Sequence, residues 1–223
     1  MNKNRLALIA FLLPFLGGSN IHAENNRNVG QINITAIQKC SACHGIDGNS
    51  SNPQWPSIAG LNEKYILKQL KDFKSGTRTN PEMELIVKSL DSDNESIALA
   101  LYFSQQEIKP INDSFKRSST ASKLVNLKLG KELFIGERID YGIPACTACH
   151  GNQGEGGVDK KGNLYPRLTS QYQQYSIKQL KLFRASKRIN DSPAMMRNIA
   201  SLMDDEDIES VVAYIASLDA KHK

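Results

Sequence analysis

Apolar residues recur along this chain at helical spacing, and the same arrangement is written twice. Ile208, Val211, Val212, Ile215 and Leu218 fall at i, i+3, i+4, i+7 and i+10. That is the single stripe of a helix with one face on a core. Asn62–Ser75 carries Tyr65, Ile66, Leu70 and Phe73 on one helical face. Gln171–Ala185 repeats the pattern with Tyr175, Leu180 and Phe183. Leu124–Glu137 adds a fourth stretch, with Val125, Leu129, Leu133 and Phe134. Ser92-x-x-Glu95 is a capping box opening a helix that holds Ile97 and Leu101. Asp204 or Asp205 caps the last helix. No segment alternates apolar and polar residues between hairpin turns. The pattern predicts an all-α fold.

The two amphipathic stretches belong to a longer repeat. Pro56, Tyr65, Lys68-Gln69-Leu70-Lys71, Phe73 and Arg78 are matched by Pro166, Tyr175, Lys178-Gln179-Leu180-Lys181, Phe183 and Arg188, each pair 110 positions apart. A run of this length in one register is a duplication, with a period too long for a solenoid. Extending it aligns Met83-Glu84-Leu85-Ile86 with Met196-Arg197-Asn198-Ile199, after three extra residues in the second copy. Polar and turn-forming residues over Lys109–Ala121 read as a linker. The expected organisation is a first domain over 24–108, a linker over 109–121 and a second domain over 122–223.

Residues 1–23 read as an export signal. Lys3 and Arg5 precede an apolar stretch, Leu6–Leu16, broken by Pro14, and Ile21-His22-Ala23 supplies the cleavage site. The apolar run is shorter than the ~20 residues of a membrane-spanning helix. The expected location is the periplasm, with peripheral membrane association, or an uncleaved anchor, as the variant reading.

The chemistry sits in two pentapeptides. Cys40-Ser41-Ala42-Cys43-His44 and Cys146-Thr147-Ala148-Cys149-His150 hold all four cysteines. Cys-x-x-Cys-His is the attachment signal for c-type haem. Its spacing puts both thiols and the imidazole on one helical face. The thiols can add to two porphyrin vinyl groups while the imidazole binds iron. A four-thiolate zinc site would leave the histidine after each pair unexplained. A thioredoxin-like dithiol lacks its βαβ context. Simple disulfides are the remaining reading in an exported chain. Two haem c groups are the expected cofactors.

Removing 1–23 leaves His44, His150 and the terminal His222, so a second histidine per iron is missing. Methionine sulfur is then the sixth ligand. Met83 is the only thioether in its half, and the repeat register selects Met196, with Met195 as its rival. Haem propionates need polar partners. Arg78 and Arg188, and Tyr65 and Tyr175, repeat in register and are the candidates. The glycine-rich loop from Gly151 to Gly162 follows a haem motif rather than a strand, which excludes a dinucleotide cradle.

Charge is uneven. Residues 24–115 hold 9 Lys/Arg against 11 Asp/Glu, and residues 116–223 hold 17 against 12. Such a dipole can orient a partner. No basic stripe with interleaved aromatics is present, which argues against nucleic acid.

With its two Cys-x-x-Cys-His-Gly motifs, each followed by Pro, Tyr-x-x-x-Gln-Leu-x-x-Phe, Arg and Met, the chain resembles the di-haem cytochrome c4 family over nearly all of the mature sequence. The resemblance implies two tandem class I cytochrome c domains with their haems close together. It implies His44–iron–Met83 and His150–iron–Met196 coordination, with the carbonyls of Pro56 and Pro166 holding the imidazoles. It implies a periplasmic carrier that passes electrons from a quinol-oxidising complex (quinol-cytochrome c reductase) toward a terminal oxidase or reductase, not an enzyme and without a small-molecule substrate. The shorter gap between Arg78 and Met83 departs from the second half and singles out the first haem's methionine loop. The rival roles are the cytochrome subunit of a flavocytochrome c sulfide dehydrogenase, a di-haem peroxidase with one open iron, and a zinc-binding module.

Overall fold

The computed structural model describes residues 34–111, 125–136 and 138–218. The signal segment expected at 1–23 and most of the linker expected at 109–121 lie outside the described residues. The first unit is built from α1 (Ile34–His44), α2 (Glu63–Ser75), α3 (Pro81–Lys88) and α4 (Asp93–Ser104). The second contains α5 (Leu127–Ile135), a short 3-10 turn (Ile139–Tyr141), α6 (Thr147–His150), α7 (Gln173–Arg184), α8 (Met195–Ser201) and α9 (Asp205–Leu218).

The helix limits follow from local chemistry. Asn62 lies just outside α2, where its side chain accepts from the backbone N–H groups of Lys64 and Tyr65. Gly76 ends the helix at φ 77°, a left-handed conformation glycine adopts without a Cβ clash. Asn80 caps α3 and Pro81 occupies its first turn, where the missing N–H is no loss. Asn126 and Gly136 trim the expected Leu124–Glu137 helix to α5. The Ser92 hydroxyl accepts from Glu95 N as the capping box requires, but the Glu95 carboxylate returns to Asp91 N, one residue earlier. At α9 the cap is Asp204, which accepts from Asp207 N. Asp205 instead pairs with Lys181 and Arg184 of α7.

Each unit closes on its own apolar core. In the first, Leu99, Ala100 and Phe103 of α4 meet Ile66, Leu70 and Phe73 of α2, with Ala36 and Ile37 of α1 and Val87 of α3. In the second, Leu133 and Phe134 of α5 pack against Ile208, Val211, Val212 and Ile215 of α9. Each of the Leu, Ile, Val and Phe side chains among these contributes about 1.5–3 kcal/mol on burial. Where α5 packs on α9, a Cβ on Gly130 would overlap the Ser210 carbonyl.

The all-α expectation meets one local difference. The glycine-rich loop holds a two-stranded antiparallel ribbon, β1 (Gly157–Val158) and β2 (Leu164–Tyr165). Two residues per strand are too few for alternation to show in sequence. Asp159 builds its turn by accepting from the backbone N–H groups of Lys161 and Asn163. The units also differ at the Cys-x-x-Cys-His segment. In the first it is the end of α1, whereas in the second a turn and an extended stretch separate α5 from α6.

Gly130→Ala is expected to destabilise the protein. The helix-propensity gain of ~1 kcal/mol is outweighed by overpacking against backbone, ~1–3 kcal/mol or more. Denaturant unfolding of the loaded protein should show a lower midpoint; an unchanged or higher midpoint would contradict this packing account.

Candidate functional site

Cys40, Cys43 and His44 lie on the inner face at the end of α1, and Cys146, Cys149 and His150 repeat the arrangement at α6. Both histidines are only 7% exposed. His44 Nδ1 lies 2.8 Å from Pro56 O, and His150 Nδ1 lies 2.8 Å from Pro166 O. A carbonyl can only accept, so each Nδ1 carries the proton and donates. Each Nε2 therefore keeps its lone pair, the tautomer a metal requires. Burial lowers the pKa of both imidazoles, and the proline carbonyls oppose this only in part. Both rings are thus held neutral. Burial also pushes the Cys40 and Cys146 thiols up to about 11.

These groups face a single cavity of about 1240 Å³ that runs through both units. Met83 lines it in the first unit, and Met195 and Met196 line it in the second. Asn80 fixes the Met83 backbone by accepting from its N–H at 2.8 Å. The register of α3 and α8 distinguishes the two later methionines. Their C-caps are Ser89 and Leu202, so Met83 and Met196 both lie six positions earlier. Buried residues keep the same step: Val87 matches Ala200 and Leu90 matches Met203.

The residue types fit two haem c groups. Each half offers two thiols, a neutral imidazole and a thioether around apolar walls that include Leu70 and Phe73, or Leu180 and Phe183. A four-thiolate zinc site does not form. Each Cys pair belongs to a different unit, and no three His, Cys, Asp or Glu side chains converge as a metal site among the described residues.

Arg78 and Arg188 also border the cavity, yet each is under 10% exposed and reaches into the opposite unit. Arg78 donates to Gln69 Oε1 of its own unit (2.7 Å) and to Tyr175 Oη and Gln179 Oε1 of the other (3.0 Å each). Arg188 mirrors it, donating to Gln179 Oε1 (2.7 Å), Tyr65 Oη and Gln69 Oε1 (3.4 Å each). Each guanidinium also covers its own unit's phenyl ring, Phe73 at 4.6 Å and Phe183 at 4.5 Å. All these partners are related by the 110-residue repeat, so the contact is a pseudo-two-fold clasp, an isologous interface within one chain.

The clasp has a positive interior. Burial alone would raise the Tyr175 phenol, but the charges of Arg78 and Arg188 outweigh it and lower its pKa. The nearest carboxylate in this network is Asp72, which accepts from Asn190 Nδ2 and Lys68 Nζ. Two guanidinium groups, held by the clasp, thus place positive charge at the edge of the cavity.

Gln69, Gln179 and Asn190 were not foreseen. The two glutamines stand within the repeated Lys-Gln-Leu-Lys, on the face between Tyr and Phe at i−4 and i+4, and a repeated amide inside an apolar stripe was the available signal. Further cross-links have no repeat counterpart. Gln171 exchanges two hydrogen bonds with the Ser57 backbone, Arg167 donates to Ala59 O, and Tyr172 Oη donates to Ser50 O.

Gln69→Leu should destabilise the domain contact by roughly 1–3 kcal/mol for each donor left unmatched among Arg78, Arg188 and Asn190. Chemical denaturation should register this, with Gln69→Glu less affected because its carboxylate restores the acceptor. Equal stability of Gln69→Leu and the parent would rule out the clasp as a structural element.

Comparison with known proteins places this geometry. The family model for cytochrome c matches residues 34–110 and 127–219. Cytochrome c4 from Stutzerimonas stutzeri is 36% identical, covering 98% of this chain and 100% of the relative. A thiosulfate dehydrogenase electron acceptor from the same species, strain A1501, is 33% identical over 92% of this chain and 87% of that protein. The crystal structure of reduced recombinant cytochrome c4 from Pseudomonas stutzeri superposes with a TM-score of 0.68 at 36% identity, over 84% of this chain and 98% of that one.

Proposed function

The chain belongs to the cytochrome c4 family, and from that membership we propose that it works in the periplasm as a di-haem one-electron carrier. It links a quinol-oxidising membrane complex to a terminal oxidase or reductase. Cys40 and Cys43 hold the first haem, and Cys146 and Cys149 the second. His44 with Met83, and His150 with Met196, would bind the two irons. The observation that carries this reading is the pair of neutral imidazoles, each locked by a proline carbonyl beside two thiols and facing one shared cavity. The matching step from the α3 and α8 C-caps supports Met196 over Met195.

When bound, each haem supplies an iron that cycles between ferric and ferrous forms. The chain's residues decide what that iron can do. With a histidine and a methionine both bound, the iron would have no position left for a substrate, which fits an electron carrier rather than an enzyme. A thioether favours the ferrous state and raises the potential. The Pro56 and Pro166 carbonyls keep the imidazole protons on Nδ1 and prevent ring rotation. Apolar walls exclude water, and Arg78 and Arg188 sit where they can neutralise propionate charge.

The resemblance to a thiosulfate dehydrogenase electron acceptor favours a second reading of the donor. In it, a thiosulfate dehydrogenase reduces the protein in place of a quinol-oxidising complex. Stopped-flow reduction by each donor separates the two.

Met83→Ala should open the first haem while leaving the second six-coordinate, and Met196→Ala should do the reverse. Absorption and magnetic circular dichroism spectra read this as conversion of one low-spin haem to high spin. Met195→Ala should leave both haems low-spin. Opening of the second haem by Met195→Ala rather than Met196→Ala would overturn the ligand assignment.

A further inference from the structure

The two copies of the amphipathic helix differ on one face: in the first copy Asp72 and Lys68 of that face bond Asn190 of the other unit, and the second copy has no carboxylate there. Along α7 and the turn after it, a shallow depression of about 540 Å³ is lined by Ile177, Leu182 and Ala185 together with Lys178, Lys181 and Lys187. The 110-residue step gives the corresponding residues of the first copy. Leu182 stands where the first copy has Asp72, Ala185 replaces Ser75, and Lys187 replaces Thr77. Lys64 corresponds to Gln174, so the two copies carry the same number of cations here but place one of them at opposite ends of the segment. The counterpart of Lys178 is Lys68, which is held by Asp72 and by the carbonyl of Asn190. Lys178 and Lys187 are exposed and form no ion pair among the described residues, whereas Lys181 is held by Asp205. The divergence has thus removed the carboxylate, made the floor apolar and left two ammonium groups at its rim.

Position adds a second argument. Lys178, Leu182 and Lys187 also line the cavity assigned to the haems. An occupant of the groove would rest against the outer wall of the second haem pocket. An apolar centre with a charged rim is the anatomy of a transient protein interface, and rim charges act mainly on encounter rate and orientation.

We propose that this face of α7 is the docking site through which the second domain meets a redox partner, and that the partner presents an acidic surface segment with an apolar tip. The proposal rests on the electron-carrier reading. Lysine ammonium groups at the rim attract the acidic residues, while Leu182 and Ala185 receive the apolar tip. The corresponding face of the first domain, with Asp72 and Ser75 in place of that floor, does not offer this seat.

The test uses the haem-loaded protein with membranes from its source cells, in two arms: reduction by the quinol-oxidising activity and oxidation by the terminal oxidase. Lys187→Glu and Lys178→Glu/Lys187→Glu are compared with Lys64→Glu/Lys71→Glu on the first domain. In at least one arm the α7 reversals should raise KM about tenfold at low ionic strength and flatten its salt dependence, with kcat less affected. Lys187→Thr, which restores the first copy's residue, should shift KM in the same direction and guards against misfolding of the charge reversals. Wild-type KM and salt dependence in both arms would overturn the proposal, as would an equal change from the first-domain reversals. Ligand identity is read independently from the spectra of the methionine variants, so failure here is distinguishable from failure of that assignment.

Discussion

Two guanidinium groups buried across one domain boundary constrain the whole molecule. Like charges desolvated together are unfavourable unless hydrogen bonds and counter-charges compensate. Here each Gln side-chain oxygen accepts from both arginines, so neither unit satisfies its own arginine alone. The clasp therefore couples the positions of α2 and α7. Those helices also form walls of the shared cavity, and the same contact governs how the two proposed haem sites face one another. The positive field that depresses the Tyr175 phenol acts on any anionic group entering between the units.

The proline carbonyls perform the complementary task inside each unit. A histidine offers iron a lone pair only when its other nitrogen holds the proton, and a buried carbonyl enforces that choice without adding charge. Pro56 and Pro166 are suited to it for a simple reason: each carbonyl lies in a loop rather than a helix ladder and is free to accept from a side chain. Burial then keeps the ring neutral. Tautomer and orientation follow from one contact of 2.8 Å in each half, and the neutral state from burial.

Local features of the fold were legible in the sequence, and features that depend on distant pairing were not. Helical spacing identified the faces carrying Phe73, Phe183 and Val211, because a core face repeats every three to four residues. Fine limits shifted where side-chain competition decided them: Asp205 has basic neighbours on α7 to pair with, which left capping to Asp204. The ribbon at 157–165 was too short to leave a period. The haem-type motifs were unmistakable, since they join chemistry and spacing in five residues. The roles of Arg78 and Arg188 were only half visible. Their repetition marked them, but nothing local shows that each reaches a tyrosine in the other copy, 97 positions away for Arg78 and 123 for Arg188. The same holds for Gln69 and Gln179, whose amides look in sequence like interruptions of an apolar stripe.

Duplication explains which residues stayed alike and which did not. In an isologous contact each residue acts twice, once on each side, so a change in one copy leaves its counterpart's partner unmatched. Tyr65, Gln69, Phe73 and Arg78 therefore persist unchanged as Tyr175, Gln179, Phe183 and Arg188. Faces outside the clasp carry no such penalty. There the copies drifted apart: Ser75 against Ala185 and Thr77 against Lys187, a direct methionine loop against one with three more residues, and a continuous motif helix against a divided one. A symmetric joint with asymmetric outer faces is the physical condition for directional flow through a two-site carrier. The joint keeps the sites in fixed relation, and the outer faces can meet different partners.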